Sequence, residues 1–204
     1  MILPKEFYTR EDTLSVAKDL LGKYLFTALD GKLTGGMIVE TEAYIGPLDA
    51  GSHAFNNRRT TRNETMYAEG GVTYMYICYG IHDMLNVVTG AKDSSHAVLI
   101  RAVEPRVGID IMQQRRGENI PLKRLCSGPG ALARAFGLKK IHDGMDMSSR
   151  NTIWIEDQGT ILSEADIKAS GRVGLGCSEP YFSIPWRFYI DRNSFVSRGP
   201  KAKS

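Results

Sequence analysis

The chain has 204 residues, 42% hydrophobic and 24% charged, with a formal net charge of +3. That length fits one domain of the usual roughly 100–200 residues, and no apolar run reaches the ~18 residues of a membrane-spanning helix. Cys78, Cys126 and Cys177 are odd in number and far apart, with no CxxC pair. This excludes a zinc ribbon and a disulfide framework and points to a reduced, intracellular compartment. The start, MILPKEFYTRED, has neither the apolar stretch nor the cleavage pattern of a secretory signal. The mild positive charge permits nucleic-acid binding without demanding it.

Taken in order, Thr9 and the acids after it predict a helix start, with a stripe of Leu14, Ala17, Leu20 and Leu21 and a C-cap at Gly22. Residues 23–29 read as a strand, turned by Asp30-Gly31 into the run 35–45. That run, GGMIVETEAYI, alternates. Met37, Val39, Thr41 and Ala43 make one face, and Ile38, Glu40, Glu42 and Tyr44 the other. NNRRTTRNE (56–64) has no apolar periodicity and reads as a basic loop. The strands 72–79, 84–89 and 97–103 are joined by short links and predict an antiparallel meander. Glu104-Pro105 is expected to open a helix to about Arg116, and Ser127-Gly128-Pro129-Gly130 a second, closed by Gly137. A short strand at 152–156, a helix at 163–169 capped by Ser163, a glycine-rich loop at 172–176 and a strand at 186–190 complete the pattern. One α+β domain over residues 1–196 is expected, with 197–204, SRGPKAKS, as a basic, disordered tail.

Two carboxylates side by side on a strand disfavour double ionisation unless cations answer them. Arg101, inside the apolar run AVLIRAV, is expensive to bury unpaired and is the natural counter-ion. A carboxylate held that way can act as a general base on water. Tyr74 reads as packing. Tyr79, at a strand end beside Gly80, can stack on a base or wedge into a duplex. Asn86 interrupts an apolar strand, where it either meets a purine edge or bonds to backbone. His53, His82, His96 and His142 show no ligand spacing, so no metal site is expected.

VETEAYIGPLDAGSHA, TTRNETMY, TYMYICYGIHDMLNV, VLIRAVEP, LCSGPGALARAFG, RVGLG and PWRFYI, in that order, resemble the alkyladenine (3-methyladenine) DNA glycosylases over residues 14–190. The resemblance implies a single α+β domain with a curved antiparallel sheet flanked by helices. It implies a monofunctional, cofactor-free enzyme that acts as a monomer on duplex DNA, flips out an alkylated or deaminated purine and hydrolyses its N-glycosidic bond. On it, Glu42 is the catalytic base, and Arg101 and the Leu175 carbonyl hold the attacking water. Tyr44, His53 and Tyr76 stack on the extruded base, Asn86 excludes guanine, and Tyr79 fills the gap in the duplex. Arg58, Arg59 and Arg62 are read as DNA contacts. Ile81-His82-Asp83 is more polar than the family's run after the wedge tyrosine. The expected location is the bacterial cytoplasm and nucleoid, or the nucleus in a eukaryote. Two other classes stay open on the residues alone: a nucleosidase of free nucleosides and a non-catalytic nucleic-acid-binding module.

Overall fold

A long strand organises the molecule. In the computed structural model, which describes residues 1–177 and 179–197, the first elements are the short helix α1 (Lys5–Tyr8), helix α2 (Thr13–Asp19), strand β1 (Tyr24–Leu29) and strand β2 (Lys32–Ile45). Asp30 and Gly31 have φ of 53° and 69°, the left-handed pair that a two-residue hairpin needs. Strands β3 (Thr73–Cys78), β4 (His82–Thr89) and β5 (His96–Val107) form the expected meander. Helices α3 (Ile109–Arg116), α4 (Leu122–Leu125) and α5 (Pro129–Phe136) come next, then β6 (Ile153–Glu156), β7 (Ile167–Ser170) and β8 (Arg187–Ile190).

The sheet runs β3-β4-β5-β2-β1-β6, with β8 on β2 and β7 on β8, and every one of these pairings is antiparallel. β2 bonds β5 along one edge; its other edge bonds first β1 and then β8. The result is a curled α+β sheet. α2, α3, α4 and α5 pack against it or against one another, around a core that includes Leu20, Leu25, Ile38, Ile100 and Phe136. Among the described residues no helix is long and apolar enough to cross a membrane.

Four expectations are corrected. The first main helix begins at Thr13, where the Asp12 carboxylate accepts from the N–H groups of Leu14 and Ser15; Thr9 instead ends the separate turn of α1. Glu104-Pro105 does not open a helix but continues β5 to Val107. Proline lacks an N–H, so it is tolerated where the ladder is already broken; here the register slips between Gly35 and Gly36, opposite Val107 and Pro105. Gly36 makes room, since a Cβ there would lie 2.4 Å from the Glu104 carbonyl oxygen. Residues 163–169 hold only a 3-10 turn (Glu164–Asp166) before β7, because pairing with β8 overrides the local helix signal. Ile38 lies in the core beside Ala43 rather than with Glu40 and Glu42.

Paired irregularities cause that last change. Ile38 faces Val103, Glu40 faces Ala102 and Thr41 faces Ile100, so Val39 is extra on β2 and Arg101 is extra on β5. A bulge flips the side-chain alternation and re-aims the residues beyond it. Ser197, the first residue of the expected tail, is fastened to Glu40 through its N–H (2.7 Å) and its Oγ (2.8 Å); the rest of that tail, 198–204, lies outside the described residues.

Candidate active site

Past the bulge, Glu40, Glu42 and Tyr44 project to the side away from α2, while Thr41 donates to the Ala17 carbonyl in the opposite direction (2.8 Å). Both glutamates are fully buried. Arg101 joins them: its Nε donates to Glu40 Oε1 at 2.9 Å and its Nη1 lies 3.3 Å from Glu42 Oε1. Burial opposes the Arg101 charge, but Glu42 and Glu40 more than offset it and hold its pKa above the usual arginine value.

The two carboxylates have different surroundings. Glu40 also accepts from Arg187 Nε (2.7 Å) and from the Ser197 Oγ and N–H, so four donors from within the fold surround it. Glu42 accepts from the Val173 N–H at Oε1 (2.7 Å) and from the Tyr44 hydroxyl at Oε2 (2.9 Å). A carboxylate offers about four lone-pair positions, so Glu42 keeps acceptor capacity on Oε2. Burial and then the Glu42 charge push the Tyr44 phenol well above its usual pKa, which keeps it a donor.

Above this floor opens a cavity of about 490 Å³, within the roughly 300–1,000 Å³ typical of ligand sites. Its lining includes Tyr44, His53, Arg62, Tyr76, Tyr79, Asn86, Arg101 and Leu175. Glu42 lies one layer beneath, in contact with the lining groups Tyr44, Arg101 and Val173. The His53 and Tyr76 rings meet edge to face with centroids 4.6 Å apart. Tyr74, expected only to pack, is 1% exposed but also lines the cavity, and its hydroxyl shares a 2.8 Å hydrogen bond with His53 Nδ1. Burial first, then Arg62 and Arg58, lower the His53 pKa to about 4, so the ring is neutral at physiological pH. Asn86 does both things its position allows: its Nδ2 donates to the Tyr74 carbonyl (3.0 Å) and its side chain lines the cavity.

Tyr79 stands at the tip of the β3–β4 hairpin, 83% exposed with φ of 51°, and Ile81 beside it is 74% exposed. Two of the loop arginines lie outside the cavity lining. Arg58 is exposed. Arg59 is engaged by Glu64 and Asp93 and lies over the Tyr67 ring, so its charge is answered inside the protein. Arg62 reaches the cavity rim and the Ile77 carbonyl (3.4 Å).

Three residues that complete the floor escaped the sequence reading. Arg172, fully buried, donates to both Asp49 oxygens (2.6 and 2.7 Å) and to the Ala43 carbonyl (3.0 Å). Its guanidinium lies over the Tyr44 and Trp186 rings. Because Val173 and Leu175 come directly after it, this clamp fixes the loop that touches Glu42. Arg187 is the third. Asp49 and Arg172 are 123 residues apart and Glu40 and Arg187 are 147 apart, so no spacing rule joins them. Among the described residues no group of three or more His, Cys, Asp or Glu side chains is arranged to hold a metal ion.

Residues 6–194 match the methylpurine-DNA glycosylase (MPG) family. The chain belongs to that family. A Chlamydia felis protein provisionally named a 3-methyladenine DNA glycosylase is 44% identical over 93% of this chain and 96% of its own length. A Clostridium perfringens protein with the same provisional name is 41% identical over 97% of this chain and its own full length. A third, from Natranaerobius thermophilus, is 42% identical over 97% of this chain and 99% of its own. Membership makes the chain a DNA-repair glycosylase, a hydrolase of N-glycosyl bonds with DNA as substrate.

Proposed function

We propose that this protein acts as a monomer on duplex DNA, extrudes alkylated or deaminated purines and hydrolyses their N-glycosidic bond with a water activated by Glu42, leaving an abasic site. The substrate class comprises 3-methyladenine, 7-methylguanine, hypoxanthine and ethenoadenine. The observation that carries the reading is one buried carboxylate, ion-paired to Arg101, beneath an aromatic slot of ligand size.

A purine inside a duplex is out of reach of any carboxylate, so extrusion comes first and costs a few kcal/mol, least for a damaged base. Tyr79 occupies the vacated stack from the minor groove. Stacking on Tyr44, Tyr76 and His53 returns roughly 1–3 kcal/mol per base. Alkylation at N3 or N7 makes the purine cationic; its charge is drawn to tyrosine faces, and a neutral His53 does not repel it. Asn86 crowds the position that a guanine 2-amino group would take.

Water held by Arg101 and the Leu175 carbonyl gives its proton to the remaining Glu42 lone pair as the C–N bond breaks. The oxygen adds to C1′ of the sugar, and the bonding electrons leave with the purine. Positive charge builds on the sugar in the transition state, as in other glycoside hydrolyses, and the Glu42 carboxylate stabilises it. A lyase step needs an activated amine. Among the described residues no lysine lines this cavity, which supports a monofunctional enzyme.

The test is base release from duplexes carrying each of the four lesions. Glu42→Gln should lower the single-turnover rate by about 10²–10⁴-fold, the usual contribution of a general base, while lesion-duplex binding persists. Normal turnover by E42Q sinks the assignment. Release from free nucleosides at rates matching the duplex would favour a nucleosidase, and tight binding without abasic product a non-catalytic binder.

A further inference from the structure

The basic loop is not the main concentration of unanswered positive charge. A second cavity of about 620 Å³ lies on the other flank of the β3–β4 tip. Ile81, His82 and Asp83 of the hairpin line it, facing Arg115 and Arg116 of α3, Arg134 of α5, and Lys139. The first turn of α5 is the partition between the two cavities: Pro129 lines the base-sized one and Gly130 this one.

These arginines differ from those at the active site. Arg101, Arg172 and Arg187 are neutralised by carboxylates. Arg115, Arg116 and Arg134 are instead held by backbone carbonyls, those of Ala135 (3.1 Å), Leu125 (3.1 Å) and Arg115 (2.8 Å). Such bonds orient a guanidinium without cancelling its charge. The lining also holds two carboxylates, Asp83, which accepts the Lys140 N–H at 2.7 Å, and Asp30, exposed at the β1–β2 turn, so its four cations still outnumber its anions by two. Burial, then the nearby Arg134, lower the Arg116 pKa, as expected where like charges crowd. Fixed guanidinium forks with free N–H groups, facing an open cleft, suit phosphate oxygens.

We propose that this cleft grips phosphates of the DNA strand opposite the lesion. The inference rests on the glycosylase reading above. A hairpin tip seated in a minor groove about 6 Å wide has one sugar-phosphate backbone on each flank. The flank with the base-sized cavity receives the nucleotide extruded from the damaged strand. The other flank, with the cationic cleft, faces the complementary strand.

The test is lesion-duplex affinity of Arg134→Gln/Lys139→Gln measured across a salt series, with neutral methylphosphonates placed in one strand or the other. Both side chains are exposed, and thermal unfolding checks the fold; Lys139→Glu alone gives a second variant. Each duplex phosphate contact contributes roughly 0.9 to the slope of log affinity against log salt, so the double variant should lose about 1–2 from that slope. Methylphosphonates in the complementary strand should weaken the wild type and leave the variant little changed. An unchanged slope, or coupling confined to the lesion strand, overturns the proposal. Failure of the wild type to release any base would instead overturn the function on which it rests, so the two failures are separable.

Discussion

Replacing Glu40 by glutamine removes one anion from a cluster that is balanced as folded: Arg101 and Arg187 against Glu40 and Glu42. The four residues are 6%, 3%, 0% and 0% exposed, so solvent screens the imbalance poorly. In E40Q both Glu40-facing arginines keep their charge, and Glu42 alone, 3.3 Å from Arg101, remains to answer them. The new amide also turns donors toward groups that already donate: Arg101 Nε, Arg187 Nε and the Ser197 N–H. Breaking a buried ion pair from one side costs about 3–5 kcal/mol. For a chain of this size each kcal/mol moves Tm by roughly 2–4 °C, so the melting temperature should fall by about 6–20 °C, read by circular dichroism. Arg187→Met in the same background removes the second cation, leaves Arg101 against Glu42, and should restore part of the loss. A Tm within about 2 °C of wild type in E40Q would refute the picture of Glu40 as the structural partner and Glu42 as the reactive one.

Tyr79→Ala should leave Tm nearly unchanged, since an exposed residue away from special contacts is usually worth within about ±0.5 kcal/mol. It should weaken lesion-duplex binding by roughly 1–3 kcal/mol, the worth of one stacking ring. Unchanged affinity would remove the wedge role. The His53 shift gives a stability signature. With a folded pKa of about 4 against an ordinary 6.5, the unfolded chain binds the extra proton between those values. His53 therefore contributes stability fully above about pH 6.5, and that contribution is lost as pH falls toward 4. His53→Gln removes the titration, so the drop in Tm from about pH 7 to about pH 4.5 should be smaller in the variant than in wild type; equal drops would show that His53 is not buried neutral.

The parts of the fold visible in the sequence are those set by local chemistry. Asp30-Gly31 fixes a hairpin because both residues accept left-handed backbone, and the alternation of 72–79, 84–89 and 97–103 survives because neighbouring strands reinforce it. What stayed hidden was set by pairing at a distance. Residues 167–170 are a strand only because β8 lies alongside, and Pro105 stays in β5 only because Gly36 gives way opposite it. The Arg172–Asp49 clamp and Arg187 are equally invisible, since arginines in a polar loop or an end strand look solvated until the fold closes over them.

Arg101 shows why the central stretch was only half legible. A charge in AVLIRAV signalled a buried counter-ion, and the alternation placed Glu40, Glu42 and Tyr44 together. The same alternation put Ile38 on their face, and regular alternation along AVLIRAV would set Val103 on the face of Arg101. In the structure Ile38 and Val103 both lie in the core, while Leu99 and Arg101 line the cavity. The faces change hands between Ile38 and Glu40 on one strand and between Arg101 and Val103 on the other, where the register slips. A regular ladder would have had to bury Arg101 beside Val103 and turn Val98 and Ile100 outward, or keep those two in the core and turn Val103 out to the site. The misplaced charge is therefore the sequence trace of the bulge itself: the irregularity lets one strand serve a hydrophobic core at its far end and a carboxylate-facing cation at its middle.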